Sequence, residues 1–189
     1  MRNYTNEIRI IKIAKPYFDT ARAGDWEHAL RVVEWVKRLG KGRDDLGLII
    51  TSAYIHDIGW SGVAPKGKIN FDEMIKLEPL ANENSPKMIQ KILAELDFTK
   101  SEIDTVKRLV DSADKRRSAL EDEAIIVDAD NLSKLCVEHI QEKYEIQSWA
   151  DVIKTFENEF PKRITTDMGR KLFPKLLSQL RIDLLHLEN

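Results

Sequence analysis

The sequence predicts an all-α domain of seven or eight helices. Apolar residues recur at three- and four-residue spacing through most of the chain, and no segment alternates convincingly as a half-buried strand would. Eight glycines and six prolines in 189 residues argue against a loop-rich or disordered chain. A chain of this length most simply forms one domain over residues 1–189, with its principal motifs in 25–135 and further helices in 149–187 packed on that core.

The first two predicted helices differ in character. Residues 25–39, DWEHALRVVEWVKRL, have the pattern of an amphipathic helix, with Asp25 as its N-cap and Gly40 beyond its end. Residues 44–58 are apolar nearly all round, which predicts a central helix packed on every side and ended by Gly59. A glycine- and lysine-containing loop over 61–70 follows directly, and such loops commonly complete functional sites.

Two further helices follow that loop. The segment SPKMIQKILAEL predicts a helix with Ser85 as N-cap and Pro86 at the first helical position. In TKSEIDTVKRLVDSA the same design recurs, with a weak capping-box pattern from Ser101 to Asp104.

The segment EAIIVDADNLSKL, residues 123–135, is compatible with a strand or a helix on periodicity alone. We favour a helix that runs through Asp130 toward Tyr144, because a strand here would lack a partner. Residues 149–187 predict two more helices, with Pro161 between them.

Composition narrows the classes of partner. Thirty basic and 32 acidic residues give a net charge of -2, so neither nucleic acid nor an anionic membrane is indicated as the main partner. No apolar run approaches the ~20 residues that a membrane span needs. The single cysteine, Cys136, cannot form an intrachain disulfide, and the composition favours a reduced, cytoplasmic protein. Apolar positions in the C-terminal helices leave room for a homodimer.

The adjacent pair His56 and Asp57 stands at the end of the apolar segment GLIITSAYIHDIGW. A carboxylate in an apolar interior is costly unless it is neutralised, paired or bound to a metal ion. Because neighbouring helical residues point about 100° apart, one ion between them could be reached by both side chains. Alone, the pair is more simply explained by helix capping or a salt bridge.

Four other ionisable residues add to this pair. His28 shares the apolar face of its helix, and Arg31 follows it by three residues, placed either to face a bound anion or to remain in solvent. Asp128 and Asp130 flank Ala129 within an apolar run, where either could cap a helix or bind a backbone amide. Together these elements supply imidazoles and carboxylates, a common ligand set for a divalent transition ion.

Three motifs follow one another along the chain: DWEHALRV, AYIHDIG and VDADNLSKL. Their order resembles the HD-domain superfamily of metal-dependent phosphohydrolases, and most of all a bacterial HD hydrolase branch. The later segment TDMGRKLFPKLLSQL is also faintly similar to that branch. The resemblance implies a helical bundle in which His28, His56, Asp57 and Asp130 bind the metal and Asp128 orients a ligand. Arg31 matches the arginine that often follows the first histidine of the family.

The resemblance also implies an activity: hydrolysis of a phosphate ester or nucleotide by a metal-activated water. Asp57 or another carboxylate would take the proton, and Arg31 with Lys66 or Lys68 would offset charge on the phosphate. The ligand types suit Mn, Fe, Co, Ni or Zn, and Mg stays open.

Two departures from the family pattern bear on these expectations. Relatives with two metal ions carry further histidines after the His-Asp pair, whereas this chain has none between positions 57 and 138. One metal ion is therefore the simpler expectation, with Asn82, Glu83, Asp111 or Asp114 as substitute oxygen ligands for a second. The family's usual DADRL is DADNL here, which removes a basic group.

Two alternatives to a hydrolase stay open. One is a regulatory HD module that binds a metal or nucleotide without turnover, and the other is a helical interaction protein.

Overall fold

The computed structural model describes residues 7–65 and 67–187. These ranges contain nine α-helices, one more than the upper prediction, two short 3-10 helices and no strand. The helices are α1 (Glu7–Phe18), α2 (Asp25–Leu39), α3 (Leu46–Ile55), α4 (Phe71–Ala94), α5 (Lys100–Asp114), α6 (Glu121–Ser133), α7 (Val137–Lys143), α8 (Trp149–Arg163) and α9 (Asp167–Leu187). The 3-10 helices are Ile58–Trp60 and Ile146–Ser148. The all-α prediction is confirmed.

Two hydrophobic clusters form the core. The first lies among α1 to α6, where α2 packs against both α3 and α6. The second joins the N-terminal half of α4 to α7, α8 and α9. Helix α6 belongs to both, since Ala129 lies in the first cluster and Leu132 in the second. Asp130 therefore lies where the two clusters meet.

The segment that was compatible with strand or helix is helical, as predicted. Helix α6 is shorter than expected, because it ends at Ser133 and a separate helix, α7, begins at Val137. Its residues 125–133 are all buried. Helix α3 is likewise buried on every side from Ile49 to Ile55, which confirms the prediction of a central helix. It is shorter at both ends than the predicted 44–58.

The predicted N-cap at Asp25 is wrong. Gly24 occupies the N-cap position with a φ of 74°, and Asp25 is the first helical residue. The Asp25 carboxylate instead accepts the backbone N–H of Arg22 at 3.0 Å. A side chain at position 24 would place its Cβ 2.7 Å from the Cβ of Glu142, so glycine is required here both by conformation and by space.

Helix α4 does not begin at Ser85 as predicted, but at Phe71, with Asn70 as N-cap accepting the backbone N–H of Asp72. Pro79 and Pro86 both lie inside it on exposed positions.

The capping box of α5 is also displaced, being formed by Thr99 and Glu102. Two C-terminal helices are present as predicted, but Pro161 lies in the last turn of α8 and the break falls at 164–166. In the described part of the chain, no helix combines the length and apolarity that crossing a membrane would require.

Candidate metal centre

The four predicted metal ligands lie together in the structure. His28 comes from α2, His56 and Asp57 from the turn after α3, and Asp130 from α6. The Nε2 atom of His28 lies 3.0 Å from Asp130 Oδ1, 3.2 Å from His56 Nε2 and 3.8 Å from Asp57 Oδ2. His56 Nε2 is 3.5 Å from both Asp57 Oδ2 and Asp130 Oδ1. We call these four residues the His–Asp cluster.

The end of α3 sets the direction of the His-Asp pair. The helix stops at Ile55, and the chain turns through His56 and Asp57 into the 3-10 helix Ile58–Trp60. Gly59 permits this turn to approach α4, because a Cβ there would lie 2.2 Å from the carbonyl oxygen of Ala81. The pair is thus held by packing of the turn against a rigid helix.

Hydrogen bonds on the far side of each imidazole fix which nitrogen carries the proton. His56 Nδ1 lies 2.9 Å from the carbonyl oxygen of Ala53, which only accepts, so this nitrogen is the donor. The Ser133 hydroxyl donates to the carbonyl of Asp130 at 2.9 Å, and so it accepts from His28 Nδ1 at 3.3 Å. In the neutral rings both Nε2 atoms are therefore lone-pair acceptors, and they face each other.

Two imidazole lone pairs and two carboxylates that converge in a buried space need a shared cation. A proton is one such cation: burial opposes it on His56, but Asp57 and Asp130 outweigh burial and raise the pKa of that imidazole. Burial and the charge of Lys143 hold the pKa of His28 well below its usual value, so this ring stays neutral. A divalent metal ion is the other such cation. The candidate ligand atoms of His28, His56 and Asp57 all lie within 4.8 Å of one another.

Asp57 belongs to a buried ion-pair network with Arg22, Asp25 and Lys143. Arg22 Nη2 lies 2.7 Å from Asp57 Oδ2, and Lys143 Nζ lies 3.4 Å from the same oxygen and 2.6 Å from Asp25 Oδ1. Although burial alone would raise it, the pKa of Asp57 is held well below the usual value by Arg22, His56 and Lys143. Asp57 is thus a carboxylate at neutral pH.

Lys134 supplies a basic group beside the cluster. Its Nζ lies 2.6 Å from Asp130 Oδ2, while Asp130 Oδ1 faces the histidines. Lys134 follows Asp130 by four residues, so the two side chains share one face of α6. The basic group that the departure from DADRL removes at position 131 is thus present one turn along the helix.

His139 packs behind the cluster. Its ring centroid lies 4.8 Å from that of His28 and 5.9 Å from that of Tyr144. Within the described residues neither of its nitrogens has a hydrogen-bond partner. Burial and the neighbouring His28 and Lys143 hold its pKa well below the usual value, so His139 is a neutral ring that limits the movement of His28.

A cavity of about 340 Å³ opens onto the cluster. Its wall includes His56, Asp57 and Asp130, which connects the predicted ligands to a space of the size that small molecules occupy. Five basic residues line it: Arg22, Arg116, Lys134, Lys143 and Arg163. Aromatic residues line it too: Trp60, Phe71, Tyr144, Phe156 and Phe160. We call this space the site cavity.

The residues considered as substitute oxygen ligands divide into two pairs. Asn82 and Asp114 line the site cavity. Glu83 and Asp111 are exposed and lie beside Lys87 and Lys115 respectively. Burial, with the charge of Asp57 nearby, raises the pKa of Asp114 to about 7.

Two of the three residues predicted to contact the phosphate do not line the site cavity. Arg31 pairs with Glu142 at 2.8 Å and is not among the residues that line the site cavity. Lys68 is exposed on the loop before Ile69 and does not line the cavity either. Lys66 lies outside the described residues. The roles assigned to these three residues stay predictions.

Asp128 is fully buried and binds the start of α9. Its carboxylate accepts the backbone N–H groups of Thr165 and Thr166 at 2.9 Å each and the Thr166 hydroxyl at 2.6 Å. It also approaches Gly169 so closely that a Cβ there would lie 2.4 Å from Asp128 Oδ2. The sequence allowed Asp128 to cap a helix or to bind backbone amides, and the structure shows the second role. That Asp128 orients a metal ligand stays a prediction.

Sequence reasoning missed the cations around the cluster. Arg22 and Lys143 lie far apart in the chain and carry no motif, and Lys143 has the ordinary position of a basic residue in the last turn of a helix. Lys134 had a usable signal, namely its four-residue spacing from Asp130.

Comparison with known proteins adds no assignment: no protein-family model, no curated protein and no solved structure matches the chain. What the fold and the site define is an all-α protein with a buried His–Asp cluster at the wall of a cavity lined by both basic and acidic residues.

Proposed function

We propose that this chain is a metal-dependent phosphohydrolase of the HD type, acting on a phosphate ester or nucleotide. The observation that carries the proposal is the pair of Nε2 lone pairs, on His28 and His56, that face each other beside two carboxylate oxygens. Mixed imidazole and carboxylate ligation suits a divalent transition ion. The chain order of the motifs, which resembles the HD superfamily, supports the same function.

The residues present fit such an ion. His28, His56 and Asp57 would hold it, and Asp130 Oδ1, which lies 3.0 Å from His28 Nε2, would be the fourth ligand. Each imidazole has its outer nitrogen fixed by Ala53 or Ser133. When bound, a divalent ion supplies Lewis acidity, which lowers the pKa of water and polarises phosphoryl oxygens. Arg22 and Lys143 keep Asp57 ionised as a ligand.

The site cavity suits a phosphorylated substrate. Three of its basic side chains, Arg22, Lys134 and Lys143, contact carboxylates of the cluster and would offset the charge of a phosphate that reacts there. Trp60, Phe71 and Tyr144 offer apolar surface for the organic part, which supports a nucleotide as one substrate class. Arg22 already covers one face of Trp60 at 3.9 Å, so a base would stack on another ring or on its other face.

Asp114 is a better proton acceptor than Asp57. The pKa of Asp57 is held well below its usual value, so its carboxylate is too weak a base to accept a proton efficiently in the reaction. Asp114 lines the same cavity with a pKa of about 7, near the value at which a carboxylate serves both as acceptor and as donor. The proton of the attacking water would therefore pass to the Asp114 carboxylate.

A regulatory module without turnover is the second candidate. Arg22 and Lys143 already neutralise Asp57, and Lys134 neutralises Asp130, so the cluster is compatible with folding without a metal ion. Such a protein would bind a metal or nucleotide in the cavity and release no phosphate.

Metal analysis followed by a phosphatase screen separates these functions. The chain would be loaded with a mixture of Mn, Co, Ni and Zn, desalted and analysed, beside His56→Ala and the control His186→Ala, whose histidine is exposed on α9. We expect about one equivalent of metal in wild type and control and none in His56→Ala. Phosphate release that depends on the metal and is lost in Asp57→Asn supports the hydrolase, and metal binding without phosphate release supports the regulatory module.

Two other outcomes have distinct meanings. Two equivalents of metal would show that Asn82 and Asp114 complete a second ion site. No metal in any of the proteins would refute the hydrolase and favour the helical interaction protein.

A further inference from the structure

Two arginines line the site cavity without touching the His–Asp cluster. Arg116 lies in the loop between α5 and α6, and Arg163 is the last residue of α8. They come from different parts of the chain and meet at one cavity whose wall also contains His56 and Asp130.

The backbone at Arg116 has a conformation that favours glycine. Its φ is 56°, and it occupies the left-handed position after α5, where its own N–H bonds to Ala113 and the N–H of Arg117 bonds to Ser112. A residue with a Cβ is strained at this position, whereas glycine is not. Strain of this kind is commonly retained where a side chain has a function.

Arg163 is largely buried and is repelled by the positive charge of Arg116. Its side chain is only 17% exposed, its nearest carboxylate oxygen, on Glu159, lies 4.0 Å away, and Lys162 binds the other oxygen of that carboxylate. Burial and the positive charge of Arg116 lower the pKa of Arg163. Arg116 itself pairs with Glu78 on α4, which leaves Arg163 as the less compensated of the two guanidiniums.

We infer that Arg116 and Arg163 form a second anion subsite, so that the substrate carries another anionic group, a phosphate or carboxylate, at a distance from the phosphate that reacts. This inference rests on the proposed function. Guanidinium groups bind such oxyanions through paired N–H donors, and an anion between these two would relieve their mutual repulsion. The substrate class is therefore an organic bisphosphate or a phosphorylated carboxylic acid.

Calorimetry with non-hydrolysable probes tests the subsite. Metal-loaded protein would be titrated with three series of matched carbon-chain length: alkylphosphonates, ω-carboxyalkylphosphonates and α,ω-alkanediyl bisphosphonates. We expect one chain length at which the second anionic group tightens binding at least tenfold in wild type. Whether carboxylate or phosphonate gives the larger gain identifies the second group.

Four variants separate a binding role from a structural one. Arg116→Gln and Arg163→Gln should each reduce the tenfold preference to threefold or less, whereas Arg117→Gln and Lys162→Gln, exposed neighbours outside the cavity, should retain it. A wild-type preference below threefold at every chain length overturns the subsite, and so does a preference that survives both cavity variants. Thermal unfolding of each variant shows that the protein titrated is folded.

Failure of the subsite is distinguishable from failure of the proposed function. If the wild type releases no phosphate from any ester, the function fails, yet the calorimetric preference still reports on the two arginines. If phosphate is released but the three series bind equally, the function stands and the subsite fails.

Discussion

Replacing Asp114 by asparagine should stabilise the protein by an amount that depends on pH. The pKa of this carboxyl rises from 3.8 to about 7 on folding, mainly because of burial. The folded state thus holds the proton more tightly than the unfolded state, so stability falls as pH rises from about 4 to about 7. Asparagine keeps the shape and cannot ionise. The gain from Asp114→Asn should therefore grow by about 2 kcal/mol from pH 5 to pH 7, and by less than ~0.5 kcal/mol from pH 7 to pH 8.

Urea unfolding at pH 5, 6, 7 and 8 measures this difference, with a chelator present so that no cation adds charge beside Asp114. Asp104→Asn is the matched control, because Asp104 is exposed on the same helix and is not among the groups that raise the pKa of Asp114. Its difference from wild type should not grow with pH. A gain for Asp114→Asn that is constant from pH 5 to pH 8 would refute the argument that burial raises the pKa of this residue, and with it the role of Asp114 as proton acceptor.

Three further predictions concern stability, each measured by urea unfolding. Gly59→Ala should destabilise by about 3 kcal/mol, because the new Cβ would overlap the carbonyl oxygen of Ala81, whereas full stability would show that the turn can shift. Asp128→Ala should lower the free energy of unfolding by about 2–3 kcal/mol, because it leaves the backbone N–H of Thr166 unpaired. Metal stoichiometry should not change, and a loss of bound metal would instead show that Asp128 orients a ligand. His139→Leu should stabilise by about 1 kcal/mol, since it removes an unpaired buried imidazole, and a loss of stability would reveal a partner such as a buried water.

The elements of this fold could be predicted better than their ends. Helical periodicity predicts α2, because burial of an apolar face depends on spacing alone, whereas continuous apolarity predicts α3 and the lack of a partner strand favours a helix at α6. The start signal at Ser85 and Pro86 failed because α4 continues through it, packed against α5 and the 3-10 helix Ile58–Trp60. Tertiary packing there outweighs the local preference of proline for a helix start.

The side chains of the His–Asp cluster could be identified as candidates from sequence for a physical reason, although the choice of Asp130 over Asp128 came from the resemblance alone. An ionisable group in an apolar segment must have a partner, and His28, Asp57 and Asp130 each stand in such a segment. The partners themselves could not be predicted. Arg22 and Lys143 are ordinary polar residues in sequence, and only the three-dimensional fold brings them to Asp57.

If the site binds the proposed metal ion and phosphate, its balance of charge would make the binding of each depend thermodynamically on the other. Three cations face three carboxylates around the cluster: Arg22, Lys134 and Lys143 with Asp25, Asp57 and Asp130. A divalent ion added to this neutral arrangement leaves an excess of positive charge, and an anion in the site cavity compensates it. Linkage requires the effect to be reciprocal, so whatever factor phosphate adds to metal affinity, metal adds to phosphate affinity. The protein would then hold its metal most tightly when substrate is abundant and release both ligands as substrate is depleted.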